Sequence, residues 1–176
     1  MKPISKLLPA AQRAYVTLMM DVIGRGLTSA SKIDPEIHHE TKGFPTGFVF
    51  RMAVFPKGPS FTAQSQPDGS IELLNNFTGT PNLTITFKHL SHAFLVFSFQ
   101  EGTARAFAHD RMVADGDLSH AIRLVRCLNK MEALILPKVV AKMAVKEYPE
   151  NLTLTQKFNL ASRIYLKVAQ TYISRS

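Results

Sequence analysis

The stretch AFAHDRMVADGDLSHAIRL, Ala106 to Leu124, decides the fold. A short apolar segment, Arg111 to Ala114, stands directly before a D-G-D corner. Asp115 and Gly116 read as a turn, because Gly takes positive φ freely and Asp tolerates it. Asp117 reads as an N-cap whose carboxylate accepts from the first free amides of a helix. That helix begins at Leu118 and sets Leu118, Ile122, Val125 and Leu128 on one side. The chain therefore passes from a strand through a tight corner into an amphipathic helix. By itself such a corner carries no chemistry.

Upstream, the segments are short and separated by turn residues. FVFRMAVF, Phe48 to Phe55, alternates Phe48, Phe50, Met52 and Val54 on one face, and PKGP then turns the chain. SFTAQSQ and SIELLNN flank the turn signal PDG. In LTITFK, Leu83, Ile85 and Phe87 alternate with Thr84, Thr86 and Lys88, the clearest strand pattern of the chain. Four such segments without a crossover helix predict an antiparallel meander and argue against a doubly wound parallel sheet. Leu90, Phe94 and Phe97 fit one helical face, although AFLVFSF also fits a strand.

Helical spacing of Leu8, Ala11, Tyr15, Leu18, Met19 and Val22 predicts a helix from about Pro9 to Thr28. The polar stretch SASKIDPEIHHETKG reads as a linker or exposed loop. Beyond Pro137, KVVAKMAVKEY reads as a further helix, and TLTQ at Thr153 to Gln156 has the form of a capping box opening a last one, Leu154 to Ile173. The fold class expected is α+β: a mainly antiparallel sheet of about five strands covered by helices, with helical extensions at both ends. The expected organisation is a helix and linker over 1–45, a central domain over 46–147 and a C-terminal helix over 148–176 packed on that domain.

Composition narrows the function classes. The 176 residues are 45% apolar, enough for a sizeable core. A formal charge of +8 and a pI near 9.8 favour anionic partners, an acidic protein or a membrane surface. The basic residues are spread out and no basic-aromatic reader motif occurs, which argues against nucleic acid. The single cysteine, Cys127, fits a reducing compartment and reads as a half-buried packing residue. Arg13 interrupts any signal-peptide core, and no run approaches a membrane span.

No catalytic motif is present: there is no nucleophile elbow, phosphate loop or dinucleotide fingerprint. Glu101, Asp110 and Glu132 have no spacing that demands a catalytic pair. His38 and His39 are adjacent, and His89 and His92 can share a helix face, but two nitrogens do not make a zinc site. Asp115 and Asp117 are accounted for as turn and cap. No enzyme, metal or cofactor is expected. What stands out is the clustering of phenylalanine: of 12, 11 lie between Phe44 and Phe107. Phe and Met suit either a packed core or the wall of an apolar cavity.

NLTITFKHLSHAFLVFSFQEGTARAFAHDRMVADGDLSHAIRLVRCL resembles the C-terminal half of sterol carrier protein type 2 domains. Ala106 and Phe107 match the family's Ala-Phe pair, Met112 and Ala114 the inward positions of its short strand, and Gly116 its turn. Leu118, Ala121, Ile122 and Leu124 match the last helix, and Asp68–Gly69 with SIELL its middle strands. The chain departs from the pattern at Asp110, where a glycine is usual, and at Ala114, where a large aliphatic is usual. The resemblance spans about Thr46 to Lys130. An N-terminal extension before such a domain is also the layout of bacterial accessory proteins of ubiquinone biosynthesis.

The resemblance implies non-enzymatic binding and presentation or transfer of a lipid (a fatty acyl chain, a sterol or an isoprenoid quinone). It implies Phe87, Phe94, Phe97, Phe107, Met112 and Ile122 as cavity residues, and a cytoplasmic protein able to sit at the periphery of the inner membrane. Lys138, Lys142 and Lys146 recur every four residues beside Val139, Val140 and Met143, the composition of an interfacial helix that contacts an anionic membrane. The alternative is a protein-interaction module with a solid core whose basic helices hold acidic partners.

Overall fold

The computed structural model describes residues 9–135. Its elements are α1 (Pro9–Ile33), α2 (Pro35–Thr41), β1 (Val49–Val54), β2 (Ser60–Ser65), β3 (Ile71–Leu73), β4 (Leu83–Phe87), α3 (Leu90–Phe97), α4 (Thr103–Ala108), β5 (Met112–Gly116) and α5 (Leu118–Ile135). The fold class is α+β, as expected.

The five strands form one sheet in the order β3-β2-β1-β4-β5. Strands β1 to β3 are an antiparallel meander. Strand β4 departs from it: it crosses back to lie parallel to β1, with Met52 opposite Ile85 and Val54 opposite Phe87. Alternation of Leu83, Ile85 and Phe87 defines a strand with one buried face, but that face is the same whether the neighbour runs parallel or antiparallel. Strand β5 then closes the edge antiparallel to β4.

Register puts most of the apolar strand residues on one face. Phe50, Met52, Val54, Phe61, Ala63, Ile71, Leu83, Ile85, Phe87 and Met112 are buried there, while Arg51, Thr62, Gln64, Glu72, Thr84, Thr86 and Val113 occupy the other, where they are half-buried or exposed. A sheet of this kind needs a cover on one side only. Helices α1, α3 and α5 supply it, α1 across β2 and β3, α3 and α5 on β4.

Helix α1 runs five residues past its expected end. Its second half is buried nearly all round, because it lies between the sheet and α5. Val16, Met20, Ile23 and Leu27 carry its core contacts, whereas Leu18, expected on that face, is exposed. Close approach is made possible at Gly26, where a Cβ would stand 2.9 Å from Met131 Sδ on α5. The Ser31 hydroxyl accepts from the Ile71 amide at 3.0 Å, tying the helix end to the edge strand β3.

The stretch read as a linker contains a helix. Asp34 caps α2, its Oδ1 accepting from the Ile37 amide at 2.8 Å, and Pro35 sits at the first turn. Ile37 and Thr41 are buried. Charges on the other side bind α2 to α5: Arg123 Nη1 meets Glu40 Oε2 at 3.0 Å and Lys130 Nζ meets Glu36 Oε2 at 2.7 Å. A polar composition hid the helix because its buried contribution is two residues, of which only Ile37 is apolar.

At the D-G-D corner Asp117 caps the helix as expected, but Asp115 and Gly116, expected as a turn, are the last two residues of β5, paired with Thr84 and Leu83. The strand runs to Gly116, whose φ of 134° and a would-be Cβ 2.6 Å from the Asn82 carbonyl exclude any side chain. Asp117 Oδ1 accepts from the Ser119 amide at 2.7 Å. The buried face of α5 is Ala121, Leu124, Cys127, Leu128, Met131 and Leu134. Leu118 and Ile122 lie off it, at 69% and 46% exposure. The face expected from Leu118, Ile122, Val125 and Leu128 is therefore rotated, because the helix meets the sheet on its Ala121–Leu124–Leu128 side.

Helices α3 and α4 both end in a Schellman motif without glycine. After α3, the Phe99 amide bonds Val96 O and the Gln100 amide bonds Leu95 O, both at 3.0 Å. After α4, the Asp110 amide bonds Phe107 O at 3.0 Å and the Arg111 amide bonds Ala106 O at 2.9 Å. Phe99 and Asp110 hold the left-handed position, φ 60° and 57°.

Candidate functional site

The candidate site is the apolar interior under α3 and α5, together with its rim at the β5 edge. Phe87, Phe94, Phe97 and Met112 are all at or below 3% exposure and belong to one core cluster. Phe87 and Phe97 meet edge to face with centroids 5.2 Å apart, and Phe87 lies opposite Met112 across the β4–β5 ladder. Phe94 takes Tyr15 of α1 edge-on at 5.4 Å. The Tyr15 hydroxyl donates to Phe97 O at 2.9 Å, and burial raises the pKa of that phenol. Phe107 packs on the cluster from α4, half-buried. The structure thus brings five of the six expected cavity residues into one region.

The sixth, Ile122, is outside that wall. It stands one turn beyond Leu118 on the exposed side of α5. Nearby, Ala114 is exposed although the register points it to the buried face of the sheet, opposite Ile85. A large aliphatic at this position would close the sheet's edge; alanine leaves it open. Leu118, Ile122 and Ala114 are exposed apolar residues at the end of β5 and the start of α5. Nothing in the sequence marked the rim, since Leu118 and Ile122 read equally well as core.

Three grooves are lined wholly by other residues. One of about 410 Å³ lies between α1 and the β2–β3 edge, beside Arg25, Ser29, Lys32, Thr62 and Glu72. One of about 370 Å³ separates α2 from α5 at His39, Arg126 and Cys127. A shallow one of about 900 Å³ runs along Arg13, Thr17, Leu18 and Phe61.

The remaining chemical candidates resolve into structure. Cys127 is fully buried rather than half-buried, and burial, aided by the Glu40 charge, pushes its thiol up to about 12. Such a thiol is a packing group. Asp115 pairs with Thr84 in the sheet through its backbone, and the Asp117 carboxylate caps α5. His89 and His92 share a corner with ring centroids 5.0 Å apart, yet among the described residues no group of three metal-binding side chains forms. Lys138, Lys142 and Lys146 lie outside the described residues. Among those residues no helix is long and apolar enough to cross a membrane.

The fold and its rim define an α+β domain with a one-sided, five-stranded mixed sheet under three helices. Solved structures similar to this chain are sterol carrier protein 2 domains. A UbiJ-SCP2 ubiquinone synthesis protein is 13% identical, with 70% of this chain and 96% of that chain covered and a TM-score of 0.43. Sterol carrier protein 2 from Yarrowia lipolytica, in its apo form, is 16% identical over 73% of this chain and 98% of its own, TM-score 0.45. Palmitated SCP2L2 from Aedes aegypti is 15% identical over 61% and 91%, TM-score 0.40. No protein-family model and no curated protein matches the chain.

Proposed function

We propose that the chain binds the apolar tail of a lipid between its sheet and helices and presents or transfers that lipid without covalent chemistry. The observation that carries the proposal is the open edge of the sheet. Ala114 points to the core side yet meets solvent, and Leu118 and Ile122 extend the apolar surface outward from it. A tail entering there meets Met112 and then the Phe87–Phe97 pair. Ten methylenes at about 0.8 kcal/mol each contribute about 8 kcal/mol before ordering costs, enough for useful affinity. The same order of strand, two helices, strand and helix underlies the resemblance to sterol carrier protein type 2 domains. By the same resemblance the ligand is a fatty acyl chain, a sterol or an isoprenoid quinone, and the protein works in the cytoplasm beside the inner membrane.

The test is titration of the full chain with a fluorescent acyl chain, followed by displacement with a sterol and an isoprenoid quinone. Saturable binding with displacement by at least one natural class is expected. Absence of saturation with every probe contradicts the proposal. One observation favours a second reading: the expected wall residues Phe87, Phe94, Phe97 and Met112 are as tightly buried as any core. A solid core makes the domain an interaction module for acidic proteins, and it leaves the acyl probe unbound.

A further inference from the structure

Six basic or imidazole side chains gather where β4, α3, α4 and β5 meet. Lys88 follows β4, His89 caps α3 and His92 lies in its first turn. Arg105 and His109 stand four apart at the end of α4, and Arg111 precedes β5. Two carboxylates face them. Glu101, whose side chain is 7% exposed, receives His109 Nδ1 at 3.0 Å and Arg111 Nη1 at 3.2 Å. Asp110 pairs with Lys88. His92 Nδ1 is buried without a hydrogen-bond partner among the described residues, and the His92 ring meets that of His89. Arg105 is exposed. From α1 the titratable group against α3 is Tyr15, a phenol that stays uncharged throughout the acidic and neutral range.

Three permanent cations against two carboxylates give the corner a formal charge of +1, which rises to +3 when the two exposed histidines, His89 and His109, are charged. We propose that this corner is a docking face for the anionic headgroups of a lipid bilayer, engaged by Lys88, Arg105 and Arg111 and strengthened on acidification by His89 and His109. The inference rests on the lipid-carrier reading, since a carrier has to meet a bilayer. The face suits a surface better than a small ion: its cations are spread over four elements, and half-buried Leu90 and Phe107 stand among them as apolar bodies for the headgroup boundary. Histidine is the side chain whose charge changes between about pH 5 and 8. An anionic surface at about −30 mV also concentrates protons, lowering the local pH by about half a unit, so approach to the bilayer itself charges the corner.

Co-sedimentation of the full chain with vesicles tests this. One set holds about one third phosphatidylglycerol in phosphatidylcholine, the other phosphatidylcholine alone, each at about pH 7.5 and about pH 5.5. A charge near an anionic surface corresponds to about fivefold in partitioning, so an increase of about tenfold or more on acidification is expected with phosphatidylglycerol and none without it. The double variant H89Q/R105Q leaves both partners of Glu101 in place; it loses about fivefold at the higher pH and more at the lower. The variant K138Q/K142Q/K146Q keeps the pH-dependent increment. No increment, an equal one on neutral vesicles, or an undiminished one in H89Q/R105Q overturns the proposal. Inorganic phosphate displacing the protein better than chloride at equal ionic strength also overturns it, making the corner a free-phosphate site. Acyl-probe binding in vesicle-free solution is a separate readout, so failure here leaves the lipid reading standing, and its failure leaves this one to be judged on vesicles.

Discussion

Ala114 lies directly opposite Ile85 in the β4–β5 ladder, yet Ile85 is fully buried and Ala114 is exposed. Two residues sharing one face of one sheet therefore mark the boundary of the core. Helix α5 packs on both β4 and β5 and buries Leu124 and Leu128, yet it leaves Ala114 exposed. With Leu118 and Ile122 turned outward, the sheet has an apolar edge that a lipid tail can use.

The first prediction concerns that edge. L118D/I122D changes two exposed positions, so stability should stay within about 1 kcal/mol of the parent by urea unfolding, about 0.5 per site. Acyl-probe affinity should fall at least about tenfold. An unchanged affinity in the folded variant places the entrance elsewhere.

Phe94→Ala separates a lipid-lined interior from a solid core. In a solid core, truncating a Phe costs about 3–5 kcal/mol. The lipid reading predicts a smaller loss of stability, together with altered acyl affinity. Chemical denaturation with and without ligand gives both values, and the full cost with no change in lipid binding supports the interaction module.

Asp110 ends α4 in the left-handed region, where residues other than Gly, Asn and Asp are strained by about 1–2 kcal/mol. D110V should therefore lose about that much stability. D110G should be near neutral, because glycine holds this conformation freely and only an exposed ion pair with Lys88, worth about 0–1 kcal/mol, is lost. Equal urea midpoints for the two variants would refute the assignment of strain to this position.

Acid should weaken the fold through His92. Burial chiefly, then the neighbouring His89 and Arg111 charges, hold its pKa below 6.5. The unfolded chain then binds a proton more readily, so the neutral ring's contribution is complete above about pH 6.5 and is lost as the pH falls below it. Urea midpoints should drop between about pH 7 and about pH 5 by more in the parent than in H92Q. An identical drop in both removes His92 from the acid response.

Much of the fold is legible in the residues, and the failures have physical causes. Period-two alternation identified β1 and β4, the PDG turn signal delimited β2 and β3, and D-G-D located the β5–α5 corner. The parallel pairing of β4 with β1 was not legible, because strand direction is set by a neighbour some thirty residues away. Helix α2 was missed since Asp34 and Pro35, its cap and first-turn residues, sit in a polar run. On α5, one rotated face turned Ile122 from an expected wall residue into a rim residue. The aromatic interior was visible as clustered Phe, whereas the Glu101–His109–Arg111 cluster was not: a lone buried carboxylate between two short helices has no periodicity to announce it.

The central claim is occupancy by lipid. Native mass spectrometry of the full chain after detergent-free purification should show the protein with one added mass in the range of an acyl lipid, sterol or quinone. That mass should be recoverable by solvent extraction, and it should be depleted in L118D/I122D. A bare polypeptide mass, persisting after incubation with each of the three lipid classes, would contradict the account.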